Sequence, residues 1–142
     1  GLYLSGSKPL KKDTKKAPKI QAAVTCMPVL SYTKLVRLRC LQESAKLRIP
    51  LCKDRAWPVS APTVKKVMTF IHAHRRNRRN VVVHCAGGRH RSAATVCRYL
   101  VHAELAKNMN DALVMVRKVR GIARPHDQAR PLWLSLKRNA DL

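Results

Sequence analysis

A chain of 142 residues has room for one domain with a hydrophobic core, and 46% hydrophobic but only 4% aromatic residues make that core aliphatic. No apolar run approaches the ~18 residues of a membrane span. Thirty Lys and Arg against seven Asp and Glu give a formal charge of +23, which costs self-repulsion unless polyanions or salt screen it and exceeds what solubility needs.

A sequence pI near 11.0 points first to nucleic acid, and after it to an anionic membrane surface or a highly phosphorylated substrate. The five cysteines, Cys26, Cys40, Cys52, Cys85 and Cys97, are odd in number and unpaired in spacing, so neither a disulfide framework nor a zinc site is indicated. A reducing compartment follows as the expected location, the mitochondrial matrix or the cytoplasm. No initiator Met precedes Gly1, so the chain reads as trimmed, and a lost presequence would not be legible in it.

In chain order, LYL fits a short edge strand, and KPLKKDTKKAPK after it, rich in Lys and Pro and without periodicity, reads as a flexible basic loop centred on 11–19. IQAAVTCM reads as a buried strand, while VLSYTKLVRLRCLQES fits helix and strand equally well. KLRIPL reads as another strand, followed by the loop CKDRAWPVSAP.

Ser60 can cap a helix with Pro62 in its first turn, and Val64, Val67, Met68 and Ile71 follow the i, i+3, i+4, i+7 rule for a buried face. Its end, HRRNRRN, sets four arginines at the negative end of the helix dipole. VVVHC is a β-branched strand patterned for burial on both faces. Helices are expected over SAATVCRYLVHAEL, then from a cap at Asn110 with Ala112, Met115, Val116 and Val119 inward, and from a cap at Asp127 with Leu132, Trp133 and Leu136 inward. The fold class is therefore α/β, a single domain over 1–142 with a central, twisted, mostly parallel sheet flanked by helices.

The stretch VVVHCAGGRHRSAATV carries the chemistry. With a strand ending at His84 and a helix starting near Arg91, the loop between them lies where unpaired N–H groups and the positive end of the helix dipole make an anion site. Gly87 and Gly88 allow the N–H groups to converge into a nest that fits a phosphate. Cys85 lies at its floor, where a helix N-terminus and arginines can bring a thiol from a pKa of ~8.5 to roughly 3.5–7.5. Arg91 can hold two phosphate oxygens with its planar fork, and Ser92 can donate to the thiolate as it leaves. The plainer reading is a buried Cys beside a turn.

HCAGGRHRS matches position for position the H-C-x-x-G-x-x-R-[S/T] signature of the cysteine-dependent protein tyrosine phosphatase superfamily, with His84, Cys85, Gly88, Arg91 and Ser92 at the fixed places. GLYLSGS and DALVMVRKVRGIARP resemble the opening strand and the D/E-A-x-x-x-V-R-x-x-R-P stretch of its dual-specificity branch. The resemblance implies a nucleophile at Cys85, a phosphate loop of Ala86, Gly87, Gly88, Arg89 and His90 supported by His84, a phosphorylated substrate, and neither cofactor nor metal.

Between Glu43 and Glu104 the sequence has one acidic residue, Asp54, 31 residues before Cys85 and in the loop after RIPL, where similar phosphatases carry their general acid. It has one residue more between Pro and Asp than the family pattern, and the alternative is a turn residue. WPV beyond it lacks the Asp of the tyrosine-specific acid loop. Arg89 and His90 stand where many relatives have small neutral residues, and relatives with basic loops act on phosphoinositides or RNA 5′ phosphates. PHDQAR departs from the family's P-N-x-G-F. His72, His74, His102 and His126 read as surface or cap residues.

Two functions follow. One is an active phosphatase associated with RNA or another polyanion; the other is a catalytically silent subunit of an RNA-protein particle such as a mitochondrial ribosome, among other proteins and on rRNA. The basic clusters Lys11, Lys12, Lys15, Lys16, Lys19 and Arg75, Arg76, Arg78, Arg79 are the candidate RNA phosphate contacts. Few aromatic residues argue against stacking on single-stranded bases.

Overall fold

The computed structural model describes residues 1–28, 34–51, 58–125 and 130–139. Four parallel strands, β1 (Leu2–Ser5), β2 (Ala22–Thr25), β3 (Lys46–Arg48) and β4 (Val81–His84), form a sheet in the order β1-β4-β2-β3. Val83 of β4 lies beside Leu4 of β1 and Val24 of β2, so β4 is central, and its β-branched residues are buried throughout, as the sequence predicts. The helices are α1 (Ala61–Arg76), α2 (Arg91–His102), α3 (Met109–Val119) and α4 (Arg130–Arg138). Among the described residues, no helix is long and apolar enough to cross a membrane.

Strand side chains alternate between two cores. Val24 and Val83 pack with Val64, Val67, Met68 and Ile71 of α1 and with residues of the other helices. On the opposite face Ala23 and Val82 pack with Leu10, Ile20, Leu35 and Leu38. The basic loop 11–19 is flanked by two residues of this second core, Leu10 and Ile20. Lys8–Lys11 form a 3-10 turn, and Leu10 and Ile20 are 1% and 6% exposed while the lysines of 11–19 stay outside. Two apolar residues so far apart produce no periodicity. Over its described residues 34–44, the stretch that fitted helix and strand equally forms no strand and no α-helix, but successive turns through Leu35 and Leu38 that end in a 3-10 turn, Glu43–Ala45.

Helix α1 forms as its sequence predicts. Ser60 caps it by accepting from the Thr63 N–H at 3.4 Å, Pro62 lies in its first turn, and the four residues expected inside are buried. Each contributes roughly 1.5–3 kcal/mol of burial. Helix α2 stops at His102, short of the predicted Leu105, and is buried continuously from Arg91 to Tyr99 because it lies between the sheet and the other helices.

Helix α3 differs from expectation at both its cap and its face. The cap is Asn108, which accepts from the Asp111 N–H at 2.9 Å, not Asn110. Its inner residues are Met109, Ala112, Leu113 and Val116, whereas Met115 is 39% and Val119 90% exposed. The sequence offers two overlapping stripes at helical spacing, and packing against α2 selects the first. The inner face of α4, Leu132, Trp133 and Leu136, is as predicted, and Asp127 lies outside the described residues.

Candidate active site

The C-terminal end of β4 delivers Cys85 to the start of α2. Cys85 is 2% exposed; its Sγ accepts from the Gly88 N–H at 3.2 Å and lies 3.1 Å from the Ser92 hydroxyl. Burial alone would raise the thiol's pKa. The hydroxyl and N–H of Ser92, the N–H of Gly88 and the Arg91 charge together outweigh it and hold the thiol below its ordinary value.

The loop closes through Gly88, at φ +64°. A Cβ there would approach the Gly6 nitrogen and Ser5 carbonyl carbon to 2.7 Å, so glycine is required by both conformation and space. Gly87 has neither constraint. Ala86, Gly87 and Arg89 are exposed and His90 is half-buried.

Arg91 opens α2, is 6% exposed, and donates from Nη1 to the Leu51 carbonyl at 2.7 Å. His84 is buried one residue before Cys85, with Nε2 2.8 Å from the Thr25 hydroxyl. Burial lowers its pKa to about 4, against the pull of its hydrogen bond with the Cys85 backbone and with help from Arg48, so the ring is neutral at neutral pH. A neutral, tethered imidazole fixes the strand end without adding charge. Asp54 lies outside the described residues; Leu51, just before its segment, is the residue bonded to Arg91.

A buried thiol of lowered pKa, at the floor of a strand-loop-helix nest with an arginine at the helix start, is an arrangement for phosphoryl transfer. Residues 2–136 match the family model described as "Dual specificity phosphatase, catalytic domain". The chain belongs to the dual-specificity phosphatase family. The fold is likewise similar to human DUSP28, at 20% identity with a TM-score of 0.79 over 99% of this chain and 91% of that one. DUSP15 is similar at 26% identity with a TM-score of 0.77, covering 99% and 83% of the two chains. PTPMT1 is similar at 20% identity with a TM-score of 0.65, covering 85% and 76%. No curated protein matches in sequence. The chain is thus a dual-specificity phosphatase-like hydrolase domain.

Several residues that position this dual-specificity phosphatase's loop are not identifiable as site residues from the sequence. Arg120, just past α3, donates from Nε to the Gly88 carbonyl at 2.7 Å and from Nη2 to the Gly87 carbonyl at 3.0 Å. Those bonds hold the Gly87 and Gly88 carbonyls, while the Gly88 N–H faces the Cys85 sulfur. Ser7, after β1, donates its N–H to the Ala86 carbonyl at 2.9 Å and its hydroxyl to the Cys85 carbonyl at 3.0 Å. Gly6 has no room for a side chain, since its Cβ would lie 2.7 Å from the Ala86 oxygen. The Arg124 N–H completes the support, donating to the Arg89 carbonyl at 2.8 Å. These residues lie in the stretches that resemble the family, but the contacts themselves span some 32 to 79 residues of sequence and have no local signal.

The basic candidates lie on two segments far apart in sequence. Lys11 closes the 3-10 turn, and Lys12, Lys15, Lys16 and Lys19 follow it, all exposed. Arg75 and Arg76 end α1, with Arg78 and Arg79 just beyond.

Proposed function

We propose that the chain hydrolyses phosphate monoesters through a phosphocysteine, and that it does so in association with RNA in the mitochondrial matrix or the cytoplasm. The observation that carries the chemistry is the pair of donors on Cys85 Sγ, from Gly88 at 3.2 Å and Ser92 at 3.1 Å, which favours the thiolate at a buried position.

In the first half-reaction the thiolate attacks phosphorus, the P–S bond forms, the ester P–O bond breaks, and the leaving oxygen takes the proton of Asp54. The N–H groups of Ala86, Gly87, Gly88, Arg89 and His90 and the Arg91 fork take up charge on the equatorial oxygens of the loose transition state. In the second, water attacks phosphorus, Asp54 takes its proton, and the P–S bond breaks. The departing thiolate is stabilised by the Ser92 hydroxyl. The balance closes on alcohol and inorganic phosphate, and no step needs a metal.

The RNA association rests on the charge of +23. A small soluble phosphatase gains nothing from it, whereas a particle subunit spreads such charge over phosphates. Hydrolysis of a small aryl phosphate by wild type, Cys85→Ser and Asp54→Ala tests the chemistry. Turnover in wild type, lost in Cys85→Ser and reduced about 10²- to 10⁴-fold in Asp54→Ala, is the expected result. A folded wild-type chain without turnover would overturn it and leave the loop as a phosphate grip in a structural subunit.

A further inference from the structure

The two basic clusters are far apart in sequence, and their ends meet in space. Asn80, between α1 and β4, donates from Nδ2 to the Lys19 carbonyl at 2.9 Å and from its N–H to the Gln21 side chain at 2.9 Å; its carbonyl accepts from the Gln21 N–H at 2.8 Å. Lys19, Arg76, Arg78 and Arg79 are exposed around this junction. Arg75 is half-buried and bonds Tyr99.

The junction marks the N-terminal ends of the parallel strands, and the phosphate loop marks their C-terminal ends. Five residues of extended chain from Asn80 to Cys85 separate the two poles by about 16 Å. Among the described residues the one ion pair is Lys46–Glu43, and none joins Lys19, Arg76, Arg78 or Arg79 to a carboxylate.

Arg78 adds an independent sign. It closes α1 at φ +57°, a left-handed conformation that favours glycine at the residue after a helix. An arginine there places a cation where the backbone alone would prefer none. None of the large exposed apolar residues, Leu105, Val114, Met115, Val119, Ile122 and Leu134, lies on the segments that carry Lys19, Arg76, Arg78 and Arg79. Exposed cations in a cluster suit a phosphate backbone.

We infer that this pole, formed by Lys19, Arg76, Arg78 and Arg79 around Asn80, docks the backbone of a structured RNA while the phosphate loop at the opposite pole stays open to its own substrate. The inference rests on the RNA association proposed above and fixes its surface. It makes binding and hydrolysis independent, so an RNA-bound chain keeps its catalytic mouth free.

The test uses a fluorescein-labelled RNA hairpin with 5′-hydroxyl ends, so that it is no phosphatase substrate, titrated with the full chain at low and physiological salt and read by anisotropy. Arg78→Gly is compared with wild type and with the triple variant Arg76→Gln, Arg78→Gly, Arg79→Gln. The triple variant is expected to bind at least tenfold more weakly, with the slope of log affinity against log salt smaller by about one for each cation removed. Arg78→Gly alone is expected to weaken binding without lowering the melting temperature, because glycine suits its backbone; that separates lost charge from lost fold. Aryl phosphate turnover at saturating hairpin is expected to stay within twofold.

A triple variant that binds like wild type, or turnover inhibited by the hairpin, would overturn the location. Absent binding by wild type at low salt would instead overturn the RNA association, and it would leave the phosphatase assay untouched. Vesicles of phosphatidylserine and phosphatidylcholine that lose affinity for the triple variant while the hairpin does not would reassign the pole to a membrane.

Discussion

Cys26 and Cys85 follow neighbouring strands and face the same core, 0% and 2% exposed, with the Cys26 N–H bonded to the His84 carbonyl at 2.8 Å. Burial pushes the Cys26 thiol up to about 12, while Cys85 is held below its ordinary value. The difference lies in the donors. Thr95 approaches Cys26 at 3.6 Å and pulls weakly against burial because its own proton goes to the Arg91 carbonyl at 2.9 Å. Cys85 meets Gly88, Ser92 and Arg91 at the start of α2. Depth therefore does not separate a structural thiol from a nucleophile in this sheet; a strand end that runs into a helix N-terminus does.

Gly88→Ala should blur the contrast most. A Cβ forced against Gly6 and Ser5 at φ +64° costs roughly 1–3 kcal/mol of strain and moves the N–H off the sulfur. Turnover should fall about 10²-fold or more, as for loss of an oxyanion donor, with the melting temperature lowered as well. Unchanged kinetics would show that the left-handed turn is not needed.

Ser92→Ala should come next. Hydrogen bonds to charged groups contribute about 1.5–3 kcal/mol, so roughly 10- to 100-fold in turnover is at stake. The pH midpoint of iodoacetamide alkylation of Cys85 should move up, toward the behaviour of Cys26. An unmoved midpoint would mean that the helix and Arg91 alone set the thiolate.

Alkaline stability sharpens the other side of the comparison. Cys26 and Cys97 ionise near 12 when folded and near 9.0 when unfolded, so the native state keeps protons that the unfolded chain has released. Their contribution is full below pH 9 and is lost as the pH rises toward 12, by up to about 1.4 kcal/mol per pH unit for each thiol. Cys85, shifted the other way, contributes above its unfolded value and loses that as the pH falls through its folded one. Urea midpoints at pH 8, 9.5 and 10.5 should drop less steeply for Cys26→Ala than for wild type; parallel curves would contradict the raised thiol.

The smallest effect is expected for Cys26→Ala on Cys85 itself. Removing the buried neighbour should leave the alkylation midpoint and turnover within about twofold, since Cys26 is uncharged at neutral pH. A large change would show that the two thiols act as one unit.

The reading of the sequence succeeded where the determining contacts are local. The strand, the turn, Cys85, Arg91 and Ser92 fall within one stretch of twelve residues, Val81–Ser92, and α1 has its cap, its proline and its buried stripe in adjacent turns. It failed where partners are distant or alternatives overlap. Nothing near Arg120 says that its guanidinium grips Gly87 and Gly88, nothing near Ser7 says that it holds Cys85, and α3 carried two stripes of which only packing could choose one.

By itself, then, the sequence determined the parallel α/β class, the family, and a charge that needs polyanions or salt, because each of these depends on residue identity and short spacing. The tertiary structure alone decided which glycine has no room for a side chain, which residues brace the loop, why one buried thiol differs from its neighbour, and that Lys19 meets the end of α1 at Asn80, at the opposite end of β4 from Cys85. Those are matters of distance across the sheet, and a chain encodes them only once its strands are laid side by side.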